Sequence, residues 1–338
     1  MDTIFDHRKS HPKRMKYCFL LLLLFLFGSC QETNSEYPLP APVLPTASNP
    51  LSETSLVILG TIQDAGAPHI ACKKECCAQL FENPDKDQQV VSLGVIDPEH
   101  DKSFLFEATP DIATQVKALK HFSMNDKELP DGIFVTHAHI GHYTGLMYLG
   151  KEATNAQQIP VFAMPKMKLF LETNGPWSQL VTNENISIQS LHKEQEVKLT
   201  PNLKVIPLQV PHRDEFSETV GYKIVGPNKT ALFIPDIDKW DKWELDISEV
   251  IGQVDYAFLD ATFYDGVEIN TRDISEIPHP FIIESMEKFK SLTDSEKKKI
   301  YFIHFNHTNP VINPTTKAHQ TVLENGFNIA TLHTIFPL

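Results

Sequence analysis

Short runs rich in β-branched and aromatic residues, broken by glycine, proline and polar clusters, recur along the chain from residue 55 onward. Such runs predict strands at 55–60 (SLVILG), 89–96, 103–108 (SFLFEA), 131–136 (DGIFVT), 159–164, 202–210, 219–226, 230–236 (TALFIPD), 254–260, 299–305 (KIYFIHF) and 327–333. Helical patterns fall between several of them, at 111–120, 143–151, 166–173, 280–292 and 314–324. Early and late strands alternate with helices, while the middle strands are joined by turns such as GPNK. That mixture predicts an α/β protein of αββα sandwich type, two mixed β-sheets packed face to face with helices outside.

The first residues follow a different pattern. KRMKYCFLLLLLFLFGSC is a basic segment, then an apolar stretch, then small residues ahead of a cysteine. This is the form of a cleavable export signal and is short for a bilayer span. Residues 1–29 read as a lipoprotein signal peptide, with Cys30 as the lipidated first residue of the mature chain. Residues 30–54 are proline-rich and poor in bulky apolar side chains, so they form a disordered tether that buries no core. Residues 55–338 then make one domain. The expected location is exported and lipid-anchored to a bacterial membrane, with the folded domain periplasmic or surface-exposed. The formal net charge is −13, and the first 29 residues carry more basic than acidic side chains, so the exported part is more acidic still. An acidic body lacks the basic footprint that phosphate backbones require, which argues against a nucleic-acid partner; the expected partner is a small-molecule substrate.

Polar residues of interest sit where the predicted strands end. In VTHAHIGHYTG, His137, His139 and His142 follow one strand; His212 follows another, Asp236 ends FIPD, and His304 ends YFIH. Strand ends offer a rigid base with exposed tips, and imidazole and carboxylate suit zinc or iron. Convergence of these six groups on a cation is the expectation. Cys72, Cys76 and Cys77 are the only thiols of the predicted domain. A tight trio suggests a thiolate metal site whose fourth ligand comes from elsewhere, or a free reactive thiol; a bridge from Cys72 to Cys76 or Cys77 with one thiol left over is the alternative.

THAHIGHYTGL resembles the H-x-H-x-D-H signature of the metallo-β-lactamase-fold superfamily, and VPHRDE, FIPDID and FIHFNH follow in the order of its remaining ligands. VILGTIQDAGAPHIACKKECC, DATFYDGVE, IPHP and HFNHTNP resemble a narrower branch, pyrroloquinoline quinone biosynthesis protein B and related cyclic-phosphate phosphodiesterases. The resemblance implies that His137, His139 and His212 hold a first metal, that Asp236 bridges, and that His142 and His304 hold a second. It also implies a structural zinc on Cys72, Cys76, Cys77 and His307, and a general acid at His279. The cysteine spacing, C-x-x-x-C-C, departs from the relatives' C-x-C-x-x-C.

Gly141 stands where the signature has its aspartate. The gap leaves four outcomes: a single ion, a second ion completed by another side chain such as Asp64 or His279, an iron site with open positions, or a site with lost activity. The expected function is a metal-dependent hydrolase using metal-bound hydroxide on a small ester such as a phosphodiester, with Asp236 and His279 as catalytic residues. Its cofactors are one or two catalytic Zn2+ and one structural Zn2+, with iron as an alternative at the catalytic site. An iron-dependent oxygenase and a non-catalytic lipid-anchored binding protein are the competing classes.

Overall fold

Within Lys102–Phe106, Phe104 and Phe106 enter one apolar cluster and Leu105 another. Successive side chains of a strand point to opposite faces, so a strand apolar throughout has to be covered on both. In the computed structural model, which describes residues 51–338 apart from 124, 214 and 270–272, this is met by two stacked sheets. The described residues fall within one compact unit, 44–338. The expected signal peptide 1–29, the lipid site Cys30 and the tether up to residue 50 lie outside the described residues.

The first sheet is built from β1 (Ser55–Gly60), β2 (Ser92–Asp97), β3 (Lys102–Phe106), β4 (Gly132–Phe134), β5 (Ile159–Ala163) and β6 (Ile186–Ser190). The second contains β7 (Val197–Lys198), β8 (Lys204–Gln209), β9 (Val220–Val225), β10 (Thr230–Ile234), β11 (Tyr256–Asp260), β12 (Ile300–Ile303) and β13 (Asn328–Ile329). The last strand, β14 (Ile335–Pro337), returns to the first sheet beside β1. Both sheets follow one plan. In each, three antiparallel pairings are followed by three parallel ones: β14-β1-β2-β3 then β4-β5-β6, and β7-β8-β9-β10 then β11-β12-β13.

Phe106, Phe134, Tyr222, Phe233 and Phe258 fill the space between the sheets. Full burial of such a side chain is worth about 1.5–3 kcal/mol. The outer face of the first sheet is covered by α2 among others, where Leu119 and Phe122 pack with Leu105 and Ile133. The outer face of the second is covered by Ile247, Ile251, Ile282 and Phe289 against Leu232, Leu259 and Phe302. The helices are α1 (Glu75–Glu82), α2 (Ile112–Ser123), α3 (Ile140–Tyr143), α4 (Pro165–Thr173), α5 (Trp177–Thr182), α6 (Ile247–Gly252), α7 (Ile282–Lys288), α8 (Asp294–Lys297) and α9 (Lys317–Glu324).

Two sequence expectations change. The helix expected at 143–151 is a single α turn followed by 3-10 geometry over Thr144–Leu149. Its cause is local: Gly145 donates its N–H to Ala108 O at 2.8 Å rather than within the helix, drawing the turn against the end of β3. The helix expected from 314 begins at Lys317, because the Thr316 hydroxyl accepts from His319 N and caps it.

Candidate metal centre

The strand ends meet in one cleft. The His137–His142 loop follows β4, His212 follows β8, Asp236 follows β10, Asp260 ends β11 and His304 follows β12. His137, His139, His212 and Asp236 form one group whose donor atoms all lie within 4.8 Å of one another, and Asp64, His142, Asp236 and His304 form a second. Asp236 is common to both. Its Oδ2 lies 3.3 Å from His137 Nε2 and 3.8 Å from both His139 Nδ1 and His142 Nε2, and its Oδ1 lies 3.2 Å from His212 Nε2.

His137, His142, His212 and His304 are each held through the other nitrogen. His142 Nδ1 meets Glu107 Oε1 at 3.1 Å, and His212 Nδ1 meets Asp238 Oδ1 at 3.3 Å. The Thr136 hydroxyl donates to Glu107 Oε1 and therefore accepts from His137 Nδ1 at 2.9 Å. A hydroxyl has one proton to give, so the His137 proton is on Nδ1 and the lone pair of Nε2 faces the cleft. The Thr262 hydroxyl does the same for His304 Nδ1 at 2.8 Å while donating to Asp260 Oδ1. Such outer hydrogen bonds set the tautomer and orientation of metal-binding imidazoles. His137 Nε2 and Asp236 Oδ1 are buried without a hydrogen-bond partner; their neighbours are close but not along hydrogen-bond directions. Buried polar atoms are rarely left this way, and a cation between them would account for it.

Charge balance points the same way. Burial opposes charge on His142, yet Asp64 and Glu107 lift it well above the ordinary imidazole range. Against the same burial, Asp236 and Asp238 push His212 up to about 10, and Asp260 and Asp64 push His304 up to about 9. Burial would raise Asp64, but His142 and His304 hold it well below the carboxylate range. His137 is the exception, driven well below the ordinary value by burial and by His142. The buried carboxylates thus demand positive charge, which protons supply when no cation does.

Asp64 fills the place that Gly141 vacates. Its Oδ1 lies 2.9 Å from His142 Nε2 and 3.0 Å from His304 Nε2. A Cβ added at Gly141 would lie 2.3 Å from Asp64 Cα and 2.6 Å from its Cβ. Of the outcomes left open by the sequence, a second set completed by another side chain is the one for which donors are present.

Asp236, Asp260 and His279 make a third group. Here Asp260 is already committed. Its Oδ1 accepts from Thr262 N and Oγ1, and its Oδ2 accepts from Ile237 N and from His279 Nδ1 at 2.9 Å. With its acceptor sites filled, Asp260 orients His279, whose Nε2 has no hydrogen-bond partner among the described residues.

Away from the cleft, Cys72, Cys76, Cys77 and His307 form a fourth group. The thiols are free of disulfide bonds. Cys77 Sγ accepts from His69 N at 3.3 Å, Cys72 Sγ accepts from Lys74 N at 3.4 Å, and His307 Nδ1 meets Asn306 Oδ1 at 3.1 Å. Three sulfurs and one nitrogen are a donor set that suits a closed tetrahedral zinc site.

Sequence reasoning missed Glu107, Thr136, Asp238, Asp260 and Thr262. Asp260 carried a readable signal, an acid ending an apolar strand like Asp236. Glu107 and His304 have φ of 76° and 68°. Non-glycine residues held there cost about 1–3 kcal/mol, and they cluster at functional sites.

Residues 102–305 match the Beta-lactamase superfamily domain, more than half of the chain. The chain belongs to the β-lactamase superfamily. Within that superfamily, Coenzyme PQQ synthesis protein B of Methylorubrum extorquens (strain PA1) is 21% identical over 303 residues, covering 81% of this chain and 97% of that protein. The protein of the same name from Gluconobacter oxydans (strain 621H) is 23% identical over 300 residues, covering 81% and 95%. Among solved structures, Zn2+-bound PqqB from Methylobacterium extorquens has a TM-score of 0.69 at 20% identity, covering 84% of this chain and all of that one. A diphosphatase of the PhnP family has a TM-score of 0.59 at 21% identity, covering 85% and 97%. These likenesses show the superfamily's metallo-β-lactamase fold, whose neighbours are mostly hydrolases.

Proposed function

We propose that the domain is a metal-dependent hydrolase of a small ester-type substrate such as a phosphodiester. The observation that carries this reading is the convergence on Asp236 of imidazoles fixed from behind, with His137 Nε2 and Asp236 Oδ1 buried and unpartnered. His137, His139, His212 and Asp236 would hold one ion, and Asp64, His142, His304 and Asp236 a second. Histidine and carboxylate donors suit zinc, with iron as the alternative. When bound, such an ion supplies Lewis acidity and a coordinated water whose pKa falls toward about 7.

The chain's own groups do the rest. Asp236 and Asp260 flank His279 Nδ1 at 3.2 and 2.9 Å and hold the ring by that nitrogen. His279 Nε2 then gives a proton to the departing oxygen, a role suited to imidazole. Asp260 keeps the ring turned for that transfer. In the same reading, Cys72, Cys76, Cys77 and His307 hold a structural zinc, and the lipid on Cys30 keeps the exported domain at a bacterial membrane.

Elemental analysis of the purified protein, with turnover of phosphodiester, lactone and β-lactam substrates, tests the proposal. His137→Ala and His212→Ala are expected to lower bound metal and abolish turnover while the thermal melt is retained. Unchanged metal in both variants, or no turnover of any ester by metal-loaded protein, rejects it. A second reading, iron-dependent oxygenase chemistry, is favoured by the curated relatives named for coenzyme PQQ synthesis and by a cleft whose donors are nitrogen and oxygen only. Oxygen uptake by the iron-loaded protein with candidate peptides separates the two. Failure to hold any metal at the cleft would leave a non-catalytic binding protein.

A further inference from the structure

Two features beside His139 have no part in the hydrolytic reading. The first is Arg213, an exposed residue whose Nη2 lies 3.2 Å from His139 Nε2. Among the described residues it pairs with no carboxylate. A guanidinium has donors only, so this contact needs the lone pair on His139 Nε2. The other ring nitrogen, Nδ1, faces His212 Nε2 at 3.3 Å and Asp236 Oδ2 at 3.8 Å. Once Nδ1 commits its lone pair to a cation, the ring proton belongs on Nε2, and two donors then face each other. Among the described residues the guanidinium then keeps no acceptor and carries its charge beside the cleft.

The second feature is an apolar edge. Ile140 and Phe216 are each 63% exposed. Ile140 follows His139 directly. Directly after Phe216 the chain is anchored twice: the Ser217 hydroxyl accepts from Ala138 N at 2.8 Å, and Glu218 accepts from Lys166 N at 2.9 Å. Its ring centroid lies 5.8 Å from that of Phe170. A phenyl ring open to water, three residues beyond a guanidinium that touches an imidazole of the cleft, suits a ligand that is flat and apolar at one end and anionic at the other.

We propose that Arg213 and Phe216 form the substrate-recognition edge of the cleft. Arg213 takes an anionic oxygen of a phosphoester, and Phe216 with Ile140 covers the flat organic group esterified to it. Guanidinium matches the charge and geometry of phosphate oxygens, which a lysine would meet only as a point charge. The inference rests on the hydrolase reading of the site and adds the class of ester, an aryl-type or similarly flat phosphoester.

The test is calorimetric binding of phenyl phosphate and methyl phosphate to the zinc-loaded protein, compared with Arg213→Met and Phe216→Ala. Arg213→Met is expected to weaken both ligands about tenfold or more, roughly 1.4 kcal/mol. Phe216→Ala is expected to weaken phenyl phosphate but not methyl phosphate, and neither variant should lose bound zinc or melting temperature. Equal affinities in the variants, or a wild-type protein that holds zinc yet does not bind phenyl phosphate, overturn the proposal. Failure of the hydrolase reading looks different: phenyl phosphate binding would still depend on Arg213 and Phe216, supporting the edge, while no ester was turned over.

Discussion

Restoring the missing acid, Gly141→Asp, should damage the site rather than complete it. The added Cβ would lie 2.3, 2.6 and 2.9 Å from Cα, Cβ and Cγ of Asp64. These are backbone and first side-chain atoms, so no rotamer change clears the clash and the main chain at Asp64 has to move. Overpacking of this kind costs about 1–3 kcal/mol or more. At roughly 2–4 °C per kcal/mol for a domain of this size class, the melting temperature should fall by about 2–12 °C. Displacing Asp64 also takes its Oδ1 from His142 and His304, so bound metal should stay level or fall. Removing the obstacle, Asp64→Gly, should by itself cost the second ion. The double variant Asp64→Gly/Gly141→Asp should regain metal and melting temperature relative to Gly141→Asp alone, with a coupling in the range of about 0.5–3 kcal/mol. Thermal melts and elemental analysis of the four proteins complete the cycle. Additive effects, or a Gly141→Asp protein that gains an ion with an unchanged melt, would refute the idea that Asp64 occupies the vacated place.

His279→Gln and Asp260→Asn should each lower turnover of esters with poor leaving groups by about 10²–10⁴-fold, with a smaller loss for p-nitrophenyl esters and no change in bound metal; a drop in metal content would make His279 a ligand instead. Glu268 offers a pH test outside the cleft. Burial lifts it from 4.5 to about 7, against hydrogen bonds from Tyr264 N and Thr308 Oγ1. Because the unfolded chain ionises first, Glu268 makes stability fall as pH rises from about 4.5 to about 7, by about 3 kcal/mol at most. Urea melts of wild type and Glu268→Gln across that window should show the difference between them shrinking toward acid pH, and a flat or opposite trend would reject the assignment.

Much of this arrangement was legible in the sequence because strands announce themselves by apolar runs, and an acid or imidazole placed directly after such a run has few structural uses. That logic placed His137, His139, His142, His212, Asp236 and His304 together. It failed where the signal is diffuse. The edge strands Ile186–Ser190 and Val197–Lys198 are short and half-polar, and β14 has only three residues, so tertiary pairing defines them. Asp64 could be named as a candidate but not chosen over His279, since the distance between residue 64 and residue 141 is a property of the folded loops. Thr136 and Thr262 carry no pattern of their own. Their roles follow from single hydroxyl protons shared between neighbours.

The two donor clusters are connected through the same pair of segments. The stretch after β1 carries Asp64 and then Cys72, Cys76 and Cys77, while the stretch after β12 carries His304 and then His307. Between them runs a short ladder: Gln63 N donates to Phe305 O and Phe305 N donates to Thr61 O, both at 2.8 Å. An acid at position 141 would have sat on α3, on the same loop as the other histidines. Asp64 instead sits on an irregular segment, where fixing its position needs an anchor further along. If the cysteines and His307 hold an ion as proposed, that cluster would be the anchor, since Cys72 lies eight residues beyond Asp64 and groups with His307, three residues beyond His304. On this reasoning Cys76→Ser should release the thiolate-bound ion and also the Asp64-dependent one, leaving the ion of His137, His139 and His212 in place and the melting temperature lowered. Elemental analysis checks the count, and thiol titration checks the starting state, in which the three cysteines should resist modification in the native protein. If Cys76→Ser removes a single equivalent of metal and the remaining metal still depends on Asp64, the two clusters are independent and the anchoring role is wrong.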